Sequence, residues 1–241
     1  MISSLENIVK RYVKKYYPGA NVVLLAGSAA AGRATKGSDL DVLIFDEHAE
    51  DSYRLIDKKY GRIIEVFLVA LRHYPYFIEE AKKSGIPSMV RMCAEGVIII
   101  DDGQAHELIA NGRKAWAEGP YPRSLDELNQ VRYEITEYLD DLIHSSIRSE
   151  DLFIFNKISE LLIIFILRIN NRWLGSGKWA YRALEEYDPG IAAEFVRVSD
   201  LFYKAGVKDE FIQFVYQTLA PFGGTLRVGW VEGADVSEDE I

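Results

Sequence analysis

The sequence predicts an α+β protein, with a small mixed β-sheet and flanking helices at the N-terminus and a helical bundle after it. Short runs rich in Val, Leu and Ile at 21–26, 38–45, 62–69 and 97–100 have the length and β-branched content of strands. Helical patterns separate them at 4–16, 76–83 and 104–117. At Glu118-Gly119-Pro120-Tyr121-Pro122 the texture changes, and from there to about Ala220 the pattern is almost wholly helical. These signals define expected domains at 1–118 and 123–220, with a tail over 221–241.

Each element has a local reason. In 4–16, Leu5, Ile8, Val9 and Tyr12 share one side of a helix, which Tyr17-Pro18-Gly19 ends. The run 97–100 is closed by Asp101-Asp102-Gly103. Ser124, with Glu127 three residues on, has the form of a capping box opening a helix over 125–147. Further helices are expected at 151–173, 177–186, 190–204 and 208–219, forming a bundle. Val231 to Ile241 carries five acidic residues and little to bury, so the tail is expected to be mobile at its end. There are no repeats.

Composition narrows the possible functions. With 241 residues, 49% hydrophobic and 27% charged, the chain has the balance of a soluble globular protein. Its longest apolar run, Leu161 to Leu167, lies between Glu160 and Arg168 and is far too short to cross a bilayer. The start of the chain lacks the basic-then-apolar order of a secretion signal. Cys93 is the single cysteine, which excludes an internal disulfide and fits a cytoplasmic protein. It reads as a small buried apolar group. The net charge of −9 argues against polynucleotide partners. Lys10, Arg11, Lys14 and Lys15 form a basic patch on the first helix, read as a solvated face.

The chemistry is concentrated in one stretch. Gly27-Ser28 follows a strand, small residues lead to Arg33, and Gly37-Ser38-Asp39-Leu40-Asp41 opens the next strand. Alternation puts Asp39 and Asp41 on one face and Leu40, Val42 and Ile44 on the other. Two carboxylates so placed can share a divalent cation, and Mg²⁺ favours carboxylate and phosphate oxygens. Gly27 permits close backbone approach, while the Ser28 hydroxyl and nearby amides can donate to a triphosphate. Ala29 to Gly32 is expected to start a helix whose positive end faces that phosphate. Glu65, in Ile63-Ile64-Glu65-Val66-Phe67, is a strand carboxylate among apolar residues, costly to bury unless paired or bound to metal.

Gly27-Ser28, ten residues, Asp39-x-Asp41 and a later strand acid together resemble the signature of the DNA polymerase β-type nucleotidyltransferase superfamily. The compact N-terminal domain followed by a helical bundle is similar to the kanamycin and streptomycin/spectinomycin adenylyltransferases. By that resemblance Asp39 and Asp41 are metal ligands, and Gly27 and Ser28 bind phosphate. Arg33 and Ser38 flank the phosphate path, and Glu65 takes the place of the third carboxylate. Among polymerases that third acid is usually Asp and a metal ligand; among the antibiotic enzymes an acid nearby can act as general base, and the longer Glu leaves both roles open. The stretch Asn171 to Trp179 resembles one from which a lysine reaches the nucleotide phosphates, which makes Lys178 a candidate.

The resemblance implies a Mg²⁺-dependent enzyme that transfers a nucleoside monophosphate, AMP from ATP or its counterpart from another nucleoside triphosphate, to a hydroxyl of a small molecule and releases pyrophosphate. An acidic surface suits a small, cationic hydroxylated acceptor. The alternatives are adenylylation of a protein partner, as in antitoxin-like members, and a non-catalytic nucleotide-binding module. Glu134 and Glu137 are further base candidates, read first as an exposed helix face. Tyr74, Tyr76 and Phe77 read as core.

Overall fold

A computed structural model describes residues 2–231 of the chain; the acidic end of the tail, and with it the expected mobility there, lies outside the described residues. The chain forms two compact units, Met1–Pro120 and Tyr121–Ile241.

The first unit opens with α1 (Ile2–Tyr16), then β1 (Val22–Leu25), the single turn α2 (Gly27–Ala30) and β2 (Leu40–Asp46). A hairpin of β3 (Tyr53–Lys59) and β4 (Arg62–Ala70) follows, then α3 (Tyr74–Ser84), α4 (Ser88–Glu95), β5 (Val97–Ile100) and α5 (Ala105–Glu118). The strands form one mixed sheet in the order β3-β4-β2-β1-β5. β2 and β4 run parallel; the other neighbours are antiparallel.

Both faces of the sheet centre are covered. Leu5, Val9, Tyr12 and Val13 of α1 pack on Val23, Leu25, Leu40, Val42, Ile44, Ile64 and Val66. On the other face Tyr74, Cys93, Ala105, Leu108 and Ile109 from α3, α4 and α5 pack on Val22, Leu24, Leu43, Phe45 and Val69. Two-sided burial is why β1 and β2 read as continuous apolar runs rather than alternating ones. Asp39, just before β2, is exposed, and Asp41 within it is half-buried.

Two elements carry no clear sequence signal. β3 is an edge strand whose side chains are mostly exposed, Tyr53, Leu55 and Ile56 among them, so it lacks a buried face to betray it. Its two-residue turn is Tyr60-Gly61, both at positive φ (53° and 72°), with tyrosine where Asn or Gly is usual. α4 is short and starts directly after Pro87. It packs closely on α5 because Gly112 has no side chain: a Cβ there would lie 2.6 Å from Cys93 Cβ.

The second unit comprises α6 (Leu125–His144), α7 (Arg148–Ile169), α8 (Lys178–Tyr187), α9 (Pro189–Ala205) and α10 (Asp209–Leu219). The Ser124–Glu127 capping box opens α6 in both directions, Glu127 N to Ser124 Oγ (3.2 Å) and Ser124 N to Glu127 Oε2 (2.8 Å). Ile135, Leu139, Phe155, Ile158, Leu162, Phe165, Phe202 and Phe211 form the core, with the Phe155 and Phe202 rings stacked 4.0 Å apart. The buried Arg168 donates to the Tyr121 carbonyl (2.6 Å) and fixes the first residue of the unit. Beyond α10 the chain remains tied to α6. Leu226 N donates to Thr136 Oγ1 (2.9 Å), Arg227 pairs with Asp140 (2.8 Å), and Trp230 stacks on Tyr133. Among the described residues no helix is long and apolar enough to cross a membrane.

Candidate active site

β1 delivers the chain to the site and a glycine turns it. Ala26 N donates to the Asp41 carbonyl (2.8 Å), the last rung between β1 and β2. Gly27 then takes φ +62° and starts α2. The expected helix from Ala29 to Gly32 thus begins two residues earlier and is a single turn, because Gly32 is left-handed (φ +69°) and stops it. Ser28 lies in that turn, partly exposed, and its carbonyl accepts from Arg33 N (2.9 Å). Arg33 is exposed.

A second turn aims Asp39. Ser38 Oγ accepts from Thr35 N (2.9 Å), and Ser38 N donates to Thr35 O (3.2 Å). Arg62, at the start of β4, braces this turn through Nη1, which donates to the carbonyls of Thr35 and Lys36 (both 2.9 Å). Ser38 therefore has a turn-building part that the spacing alone did not reveal.

The carboxylates converge by register. Asp41 on β2 and Glu65 on the parallel β4 are direct neighbours, and Asp39 stands two residues before Asp41. Asp39, Asp41 and Glu65 each offer a carboxylate oxygen, and these lie within 4.8 Å of one another. Asp39 is exposed, Asp41 half-buried and Glu65 buried. Three like charges this close repel one another unless a cation sits among them. The donor set is all oxygen, as a hard divalent cation such as Mg²⁺ prefers, and its open side can admit phosphate oxygens. Gly27 belongs to the same arrangement, since a Cβ there would lie 1.8 Å from Asp41 Oδ2.

Glu65 has a partner not anticipated from the sequence. Arg54 on β3 donates from Nε to Glu65 Oε1. Without β3 recognised as a strand, nothing tied Arg54 to Glu65. The remaining candidates belong to other elements. Lys178 is exposed at the first position of α8 in the second unit. Also in that unit, Glu137 pairs with Arg227 (3.0 Å) and Glu134 accepts from Gln130 (3.5 Å). Tyr74 is buried and donates to the Leu108 carbonyl (3.0 Å), but Tyr76 is 62% exposed, so its expected core place is corrected. Tyr76 lies on the outer face of α3. Cys93 is fully buried, and burial pushes its thiol up to about 12. On α1, Arg11 covers the Tyr60 ring (4.4 Å).

Residues 5–96 match the family model described as nucleotidyltransferase domain. The first unit thus carries a nucleotidyltransferase domain of the polymerase β-type superfamily, and Gly27, Ser28, Asp39, Asp41 and Glu65 all lie inside the matched stretch. Among solved structures, the chain is similar to a nucleotidyltransferase-like protein from Exiguobacterium sibiricum 255-15, at 10% identity and a TM-score of 0.43, over 90% of this chain and 73% of that one. No curated protein matches the chain.

Proposed function

We propose that the protein is a Mg²⁺-dependent nucleotidyltransferase of the cytoplasm that transfers AMP from ATP to a hydroxyl of a small molecule and releases pyrophosphate. The observation that carries this reading is the convergence of Asp39, Asp41 and Glu65 within 4.8 Å, beside the Gly27-Ser28 turn of a nucleotidyltransferase domain.

Asp39, Asp41 and Glu65 would hold the metal, which supplies positive charge to the triphosphate as negative charge builds up on it. Gly27 leaves room for the phosphates, and the Ser28 hydroxyl donates to them. Arg33 adds an exposed cation beyond α2, and Ser38 keeps the Asp39 turn in shape. In the transfer, the acceptor oxygen forms a bond to the α-phosphorus while the bond from that phosphorus to the bridging oxygen breaks. Pyrophosphate leaves, and the hydroxyl proton passes to a general base or water. Glu65 suits metal ligation better than base duty, because Oε1 already accepts from Arg54. The net charge of −9 favours a cationic acceptor, such as an aminoglycoside.

The test is a screen of the purified protein with Mg²⁺, each nucleoside triphosphate and a panel of hydroxylated acceptors, following pyrophosphate release and identifying products by mass spectrometry. The expected result is pyrophosphate formed with ATP together with an acceptor heavier by one AMP. Absence of both for every pair, with no metal-dependent nucleotide binding, contradicts the proposal.

A further inference from the structure

We propose that Arg54 is the positioning residue for Glu65: it holds one carboxylate oxygen so that the other is presented to the metal site. The inference rests on the metal-binding reading of Asp39, Asp41 and Glu65, and adds a residue from a strand that belongs to none of the motifs.

The placement follows from the hairpin. In the antiparallel pairing of β3 and β4, Ile56 stands opposite Glu65 and Arg54 opposite Phe67. Arg54 and Glu65 are therefore diagonal neighbours on the same face of the sheet, within reach of a long side chain. The guanidinium makes two contacts there. Its Nε donates to Glu65 Oε1, and its carbon lies 5.6 Å from the centroid of the Phe67 ring. A side chain that is 61% exposed is thus tied at two points, while the Glu65 side chain it holds is only 11% exposed.

Glu65 needs such a hold. It is an acceptor-only group, mostly out of water, facing two other carboxylates in the cluster. Repulsion from Asp39 and Asp41 favours rotamers that turn Glu65 away. The bond from Arg54 opposes that and takes up one lone pair of Oε1, so Oε2 is the oxygen with the more room for a cation. Partners of metal ligands commonly act in this way, fixing the ligand before the ion arrives.

Charge alone predicts the opposite sign. An arginine that merely stands in for the cation would compete with it, and removing it would tighten metal binding. Because most of the side chain is in water, that through-space repulsion is screened, whereas the orientation of Glu65 depends on direct contact. Loss of orientation is therefore the larger effect.

The experiment is a titration of the full-length protein with Mn²⁺ alone, with the free ion followed by electron paramagnetic resonance, for wild type, Arg54→Ala, Arg54→Lys and Asp41→Asn. Circular dichroism establishes that each variant is folded. Arg54→Ala is expected to raise the Mn²⁺ dissociation constant about 10- to 100-fold. Arg54→Lys, which keeps the charge but not the planar donor, is expected to fall between Arg54→Ala and wild type. It carries the test if Arg54→Ala does not fold. Unchanged or tighter binding in folded Arg54 variants overturns the proposal. If wild type fails to bind Mn²⁺, or Asp41→Asn binds it as wild type does, the metal site itself is wrong.

Discussion

The α-carbon of Gly27 lies directly against the Asp41 carboxylate: a Cβ at Gly27 would be 1.8 Å from Asp41 Oδ2 and 2.8 Å from its Cγ. The Gly-Ser turn and the Asp-x-Asp strand are therefore one contact rather than two neighbouring motifs. Under the proposed function, room at Gly27 serves the Asp41 carboxylate as well as the phosphates.

Gly27→Ala should suffice to damage the site. The left-handed backbone (φ +62°) would cost an alanine about 1–2 kcal/mol, and its methyl would push Asp41 out of the cluster. Chemical denaturation should show that loss of stability, and calorimetry should show weakened Mg²⁺-dependent ATP binding. Unchanged nucleotide affinity in a folded Gly27→Ala protein would argue against this contact being part of the site.

Arg62 braces the turn that aims Asp39, through the Thr35 and Lys36 carbonyls. Arg62→Ala should loosen residues 35–38 while leaving the core of the sheet intact. Limited trypsin digestion should cut faster after Lys36, and transfer should slow with only a small shift in the unfolding midpoint. Digestion at the wild-type rate would show that the turn holds itself.

The second unit should show its own acid sensitivity. Asp151 is buried, and Lys208 Nζ donates to its Oδ1 (2.9 Å) as well as to the carbonyls of Leu142 (3.0 Å) and Ser145 (2.6 Å). Burial pushes the Asp151 carboxyl up; the hydrogen bonds from Lys208 and Ser145 outweigh it and hold the group below its ordinary value. A folded pKa below the unfolded one stabilises the fold above the unfolded value of about 3.9, and the contribution disappears as pH falls through the folded value. Asp151→Asn should therefore flatten the loss of stability below about pH 4. Lys208→Met, which strands a buried carboxylate, should cost about 3 kcal/mol at neutral pH. Denaturant titrations across pH check both, and a steep acid limb retained in Asp151→Asn would assign it to other carboxylates.

How far the sequence reaches is visible in individual residues. The strands carrying Asp41 and Glu65 were legible because they are largely buried on both faces and mostly apolar. The carboxylates stood out as exceptions in those runs. The Ser124–Glu127 box was legible because capping is local. Arg54 was not, because its meaning lies in cross-strand register and β3 has no buried face to reveal it. The clash that an alanine at Gly27 would make with Asp41 was hidden for the same reason, since it depends on how β1 and β2 are paired. The part Arg62 plays was hidden too, since the Thr35 and Lys36 carbonyls it braces come beside it only in the fold.

If Asp39 and Asp41 hold a divalent cation that binds nucleotide, ATP affinity depends on both carboxylates and on the metal. Calorimetric titration of ATP into wild type and into Asp39→Asn/Asp41→Asn, each with and without Mg²⁺, measures that dependence. Wild type is expected to bind ATP strongly only with Mg²⁺, and the folded double variant to lose this dependence together with most of its affinity. Equal ATP affinity in the two proteins, whether or not Mg²⁺ is present, would contradict it.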